Sequence, residues 1–263
     1  MKDFQLLCAT MNQVDFRKVN EMKIESDIIF ANQTNNFSEN DIEINNNNVA
    51  KMINTNTVGL SVNRNILLTF ANADICMFSD DDVKYYSGYK NKIIDAFKRH
   101  PDADMIIFNL DTDSESRKLY KIKRERKMHR WERNPYGSVR IAFKLCSQRK
   151  FNVWFNVLLG AGSKYKSGED TLFINEFRKK GKVVLCPDVI GKVDFFNSTW
   201  FKGYTEEYFF NQGAKIECIY STFKWIMVLY YAFSIKGNLS VYKKIECMRK
   251  GIESYKNLNG SDM

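Results

Sequence analysis

Ten residues constrain the fold of this chain more than any others: Asp74-Ile75-Cys76-Met77-Phe78-Ser79-Asp80-Asp81-Asp82-Val83. A short apolar run, the pattern of a buried strand, stops in three consecutive carboxylates. A helical pattern follows from Ser87 to Arg99, with Ile93, Ile94, Ala96 and Phe97 on one side. Three adjacent acids repel one another unless a positive charge sits among them. In extended backbone alternate side chains share a face, so Asp80 and Asp82 point together and Asp81 points away. Two carboxylates on one edge suit a hard cation such as magnesium or manganese, whose open positions a diphosphate can fill. The alternative is a solvated acidic turn whose last Asp caps the next helix. The triplet alone leaves both open.

The rest of the chain supplies an architecture for that strand. Phe4 to Thr10 is expected to be a first buried strand, and a segment with Phe16, Val19 and Met22 a helix. Ser26 to Ala31 is a second strand, followed by the polar run Asn32-Gln33-Thr34-Asn35-Asn36; Asn45 to Asn48 form a loop. Val58 to Ala73 has helical spacing, and Met105 to Phe108 is another strand. Strands and helices alternating at these lengths predict an α/β fold with a mostly parallel sheet and helices on both faces. Ligands of such sheets gather at the carboxyl ends of the strands, where Thr10, Asn32 and Asp80 all fall.

Net charge, +9 over 263 residues, points to an anionic partner. Nucleic acid, an anionic membrane face and phosphorylated substrates all qualify. The six cysteines are scattered, with no zinc-type pair, and are expected to be reduced in a cytoplasmic protein. No signal peptide is expected at the start, and no stretch is long and apolar enough to span a membrane.

Three further segments carry two readings each. The stretch from Arg117 to Arg133 is strongly basic, with Tyr120 and Trp131 interleaved. It is either a solvated loop or an edge facing phosphate or membrane. Gly160-Ala161-Gly162-Ser163 precedes Ser167-Gly168-Glu169-Asp170 and an amphipathic helix that stops at Gly181. Ser167 with Asp170 fits a capping box, while a carboxylate at a helix start beside glycines also suits a general base. The apolar run from Phe223 to Phe233, with later lysines, is expected to be one of a C-terminal helix pair packing on the domain; an interfacial helix on an anionic membrane stays open.

Taken in order, these residues resemble the family 2 glycosyltransferases of GT-A fold, specifically bacterial enzymes that build capsule, O-antigen or other surface polysaccharides. The likeness runs through Ala9-Thr10-Met11-Asn12, Asn32-Gln33, Gly59-Leu60-Ser61-Val62-Asn63-Arg64-Asn65, Phe78-Ser79-Asp80-Asp81-Asp82 and Gly168-Glu169-Asp170. It implies a Rossmann-like GT-A domain over 1–215, with 1–110 binding a nucleotide sugar and 111–215 the acceptor, and a helical extension over 216–263. It also implies that Asp80 faces the nucleotide sugar, with Asp81 beside it, and that Asp82 holds a Mn2+ or Mg2+ ion bridging the diphosphate. Asp80 and Asp194 would be further ligands of that ion. Asp170, paired with Glu169, would be the catalytic base. Thr10, Asn12 and Asn32 fall where the family cradles uracil and ribose, and Arg64 lies beside the diphosphate.

Two departures stand out. The family commonly carries an Asp pair after its second strand, where this chain has Asn32-Gln33. A His often found near position 194 is missing, since the only histidines are His100 and His129. The expected activity is therefore an inverting sugar transfer from a nucleoside diphosphate sugar, UDP-linked by preference, to a glycan or polyprenyl-diphosphate-linked acceptor. Peripheral contact with the inner membrane face stays open. Two alternatives compete. A sugar nucleotidyltransferase would need a Gly-rich, Lys-bearing triphosphate loop, which the sequence lacks. A nucleic-acid-binding module would fit the charge but would leave Asp80 to Asp82 and Glu169-Asp170 unexplained.

Overall fold

A computed structural model describes residues 2–112, 119–130, 132, 134–193 and 203–260. The strands are β1 (Lys2–Met11), β2 (Asp27–Gln33), β3 (Ser38–Ile44), β4 (Asn48–Thr55), β5 (Ala73–Asp80), β6 (Val83–Tyr85), β7 (Met105–Thr112), β8 (Arg126–Lys127), β9 (Ile141–Lys144) and β10 (Val183–Val193). The helices are α1 (Lys18–Glu21), α2 (Leu60–Phe70), α3 (Tyr89–Arg99), α4 (Leu145–Phe151), α5 (Glu169–Lys180), α6 (Glu206–Tyr220), α7 (Lys224–Ser234) and α8 (Val241–Gly260).

One sheet runs in the order β3-β4-β2-β1-β5-β9-β7-β10-β6, with β8 added on β10. Its parallel pairings join β4, β2, β1 and β5 on one side and β7 with β10 on the other. The antiparallel pairings are made by β3, β6, β8 and β9. Alternate residues of β1 feed two cores: Leu6 and Cys8 enter one with Phe30, Met77 and Ile93, while Leu7 and Ala9 enter the other with Phe78, Leu67 and Phe173. Both faces of the sheet are thus covered, as the continuous apolar runs of its parallel strands require. Five of the described strands escaped the sequence pattern: β3, β4, β6, β8 and β9. β3 is exposed along nearly its whole length and reads as a polar loop, and β9 is four residues long.

Register decides where the site lies. Thr10 pairs with Asn32, and Ala9 with Asp80, so the polar ends of β1, β2 and β5 meet on one edge. The C-terminal helices pack on one another and, through Ala214 and Tyr255, on Leu159 and Tyr165. A side chain at Gly213 of α6 would place its Cβ 2.0 Å from the Met248 carbonyl oxygen, and one at Gly251 of α8 equally near that of Phe210. Only glycine permits backbones to cross so closely. The boundary drawn after residue 215 falls within α6, which is continuous from Glu206 to Tyr220. No helix among the described residues is long and apolar enough to cross a membrane.

Candidate active site

Arg64 is the hub of the carboxyl edge. It sits on α2 with 2% of its surface exposed. Its guanidinium donates to Asp170 Oδ1 at 2.8 Å and Asp80 Oδ1 at 3.2 Å, with Glu169 Oε1 at 3.7 Å. Burial works against the charge on Arg64, but Asp170, Asp80 and Glu169 outweigh it and raise its pKa. Its Nε is buried without a partner, as is Oδ1 of neighbouring Asn63. The Asn63 amide donates to the carbonyls of Ala31 and Thr10, pinning α2 to the ends of β2 and β1. A positive charge does sit among the acids, delivered from 16 residues upstream of Asp80.

Of the acidic triplet only Asp80 lies in β5, and Asp81 and Asp82 form the turn after it. Asp80 turns towards Arg64, whereas Asp81 accepts the Thr10 hydroxyl at 2.5 Å and the Gln13 amide at 3.3 Å. Asp82 is exposed in the turn before β6. Burial pushes the Asp80 carboxyl above its ordinary range; Arg64 opposes this and Asp170 reinforces it. Among the described residues no three His, Cys, Asp or Glu groups converge as a ready metal cage. Asp194, expected as a third ligand, lies outside the described residues. Carboxylate oxygens at Asp80 and Asp82 nonetheless fit a hard cation that takes one or two protein carboxylates and draws its other ligands from phosphate and water.

The Glu169-Asp170 pair opens α5. The capping box does not form: Gly168, in the left-handed region, is the N-cap, and no side chain caps the helix. Asp170 instead gives one oxygen to Arg64 and the other to the Ser138 backbone N–H at 3.0 Å. Glu169 is 9% exposed, and burial, with repulsion from Asp170, lifts its carboxyl to about 7 against the pull of Arg64. Gly160 makes room for it: a Cβ there would lie 3.3 Å from the Glu169 carboxyl carbon and 3.0 Å from Ser61 Oγ.

Asn32 has a different position from the one the resemblance implies. It is wholly buried, its Oδ1 accepting Gln13 N–H and its Nδ2 donating to Gln13 O and Asn54 Oδ1. An aspartate there would face two acceptors, which explains the amide. Its groups hold the loop after β1 rather than facing a ligand. Asn12, in the left-handed region at φ 55°, is an exposed member of that loop. Gln33 donates to the carbonyls of Thr57 and Gly59, fixing the entry to α2. Pattern reading missed Asn63, Asn54 and the Ser138 amide, because their roles depend on neighbours distant in the chain.

The basic stretch is partly structural. Arg126 is held bidentate by Glu132 at 2.7 Å, while Lys121, Lys123 and Arg124 remain exposed. Trp131 and residues 113–118 lie outside the described residues.

Comparison with known proteins agrees with this arrangement. Residues 33–160 match the model of glycosyl transferase family 2. A search of curated proteins returns no match. Among solved structures, S. aureus TarS residues 1–349 in complex with UDP-GlcNAc superposes with a TM-score of 0.62 at 12% identity, over 97% of this chain and 92% of that one. The same TarS fragment without that ligand gives 0.58 at 12% identity, over 97% and 91%. Full TarS gives 0.58 at 10% identity, over 95% of this chain but 43% of that longer one. At such identities the likeness establishes the fold alone. Residues 33–160 thus match glycosyl transferase family 2, and the described chain has the GT-A fold.

Proposed function

We propose that the chain is an inverting, metal-dependent glycosyltransferase. It moves a sugar from a nucleoside diphosphate sugar, UDP-linked, to a hydroxyl of a glycan or polyprenyl-linked oligosaccharide in bacterial capsule, O-antigen or exopolysaccharide synthesis. The observation that carries this reading is Asp170, whose carboxylate is fixed by Arg64 and the Ser138 amide next to Asp80. The family match supports transfer from a nucleotide sugar, and TarS, of like fold, has been solved with UDP-GlcNAc and with UDP.

Asp170 is the base. It takes the proton of the acceptor hydroxyl as the new bond forms between that oxygen and the anomeric carbon. The bond to the diphosphate oxygen breaks on the opposite side, and its electron pair leaves with the nucleoside diphosphate. Arg64 orients Asp170 and balances its charge. Glu169, its carboxyl lifted by burial and by repulsion from Asp170, holds a proton more readily than a free glutamate and so limits the negative charge beside the base. Asp82 and Asp80 would hold Mn2+ or Mg2+, which when bound neutralises diphosphate charge. The end of β1 and the loop after it, Thr10 to Gln13, border the nucleoside.

Two measurements test the proposal. A thermal-shift panel of nucleoside diphosphates and nucleotide sugars, with and without Mn2+, should show metal-dependent stabilisation by uridine compounds, about 2.7 kcal/mol at a hundred times the dissociation constant. Silence across the panel in a folded protein would overturn it. Asp170→Asn should cut transfer about 10²- to 10⁴-fold with donor binding retained, since general-base catalysis contributes on that scale.

A further inference from the structure

The helix α7 is oddly seated for a packed element. Val228 and Ala232 alone are fully buried, on one narrow edge against Phe209, Met248 and Ile252. Trp225, Ile226, Leu229, Tyr230 and Phe233 are 50–71% exposed. At 100° per residue these five fall within an arc of about 140°, a continuous apolar stripe away from the buried edge. Soluble proteins rarely leave such a stripe to water.

We propose that this stripe is a docking surface for an anionic lipid bilayer, on which α7 lies in the plane of the interface. Three observations favour lipid over a second copy of the chain. The stripe combines Trp and Tyr with Ile, Leu and Phe, the amphipathic mixture that settles at the boundary of headgroups and acyl chains. No carboxylate occurs from 218 to 245, whereas Lys224, Lys236, Lys243 and Lys244 do, Lys224 being paired with Glu217 and Lys243 with Glu206 and Glu246. Lys244 is spent on the carbonyls of Ala232 and Ile235, closing the end of α7, and Lys236 stands exposed just beyond it. Finally, five half-exposed side chains offer on the order of 500 Å², short of the ~800 Å² per partner of a standard protein interface. A single short helix on a membrane has no such minimum.

The surface involves none of the site residues, so its test is independent of the proposed reaction. The full chain is floated with vesicles of phosphatidylglycerol and phosphatidylcholine, and with phosphatidylcholine alone. Wild type should float with the anionic vesicles, and Ile226→Glu with Phe233→Glu should lower partitioning roughly a hundredfold, at about tenfold per lost side chain. Both positions are exposed, so melting temperature should hold and confirm folding. Brominated lipid should quench fluorescence in wild type more than in Trp225→Phe. Unchanged partitioning in the double variant overturns the proposal, as does equal binding to neutral vesicles. A wild-type dimer in light scattering that the double variant dissolves also overturns it, assigning the stripe to a second copy.

Discussion

Two arginines are buried equally, each 2% exposed, in surroundings that differ in kind. Arg64 faces three carboxylates, and their attraction raises its pKa despite burial. Arg140 faces dipoles: it donates to the carbonyls of Phe108 and Tyr120 and to Asn109 Oδ1, with the Tyr136 ring 4.9 Å from its guanidinium carbon. Burial without a countercharge brings its pKa down to about 10. The Arg140 contacts tie residues 120–122 and the helical turn at Ser138–Arg140 to β7. The Arg64 contacts concentrate charge on the carboxyl edge of the sheet. A cation among neutral acceptors is a fastener, whereas a cation among acids is one side of a balance that an incoming cation or diphosphate can shift.

That distinction can be broken by substitution. The largest effect is expected from Arg64→Met, which strands three acids and should cost about 3–5 kcal/mol at pH 8. Part of that loss should return with millimolar Mg2+, measured by denaturant titration; failure of Mg2+ to restore any stability would remove the distinction. Arg140→Met should cost about 3 kcal/mol through unpaired acceptors, with no recovery in Mg2+. Its donor binding, followed by thermal shift, should match wild type.

A subtler expectation concerns Glu169. Its folded pKa, about 7, stands above the ordinary 4.5, so between those values the folded state binds more protons than the unfolded one. Stability therefore falls as pH rises through that window. Glu169→Gln should flatten the slope, melting above wild type at pH 8 and level with it near pH 4.5. Identical profiles would mean that Glu169 is charged throughout. The smallest effect belongs to the exposed cations: Lys123→Glu with Arg124→Glu should leave the melting temperature unchanged, whereas Arg126→Ala, which releases Glu132, should lower it measurably.

Sequence alone determined the alternation of strands and helices, because buried parallel strands must be apolar on both faces and helices must repeat near 3.6 residues. It also marked Asp80 to Asp82 and Glu169-Asp170, since clustered charge is visible without a fold, whereas Arg64 was marked by the resemblance alone. The exposed β3 and the short β6, β8 and β9 stayed hidden, lacking either periodicity, and β4 was missed as well. Tertiary structure decided the partners. Only strand register brings Thr10, Asn32 and Asp80 to one edge, and only the packing of α2 against the start of α5 puts Arg64 between Asp80 and Asp170. It withdrew Asn32 from the ligand face and gave Asp170 to Arg64 rather than to a helix cap. It also left one side of α7 in water. Periodicity reports which residues prefer burial, but a charge's partner is set by distances between segments far apart in the chain.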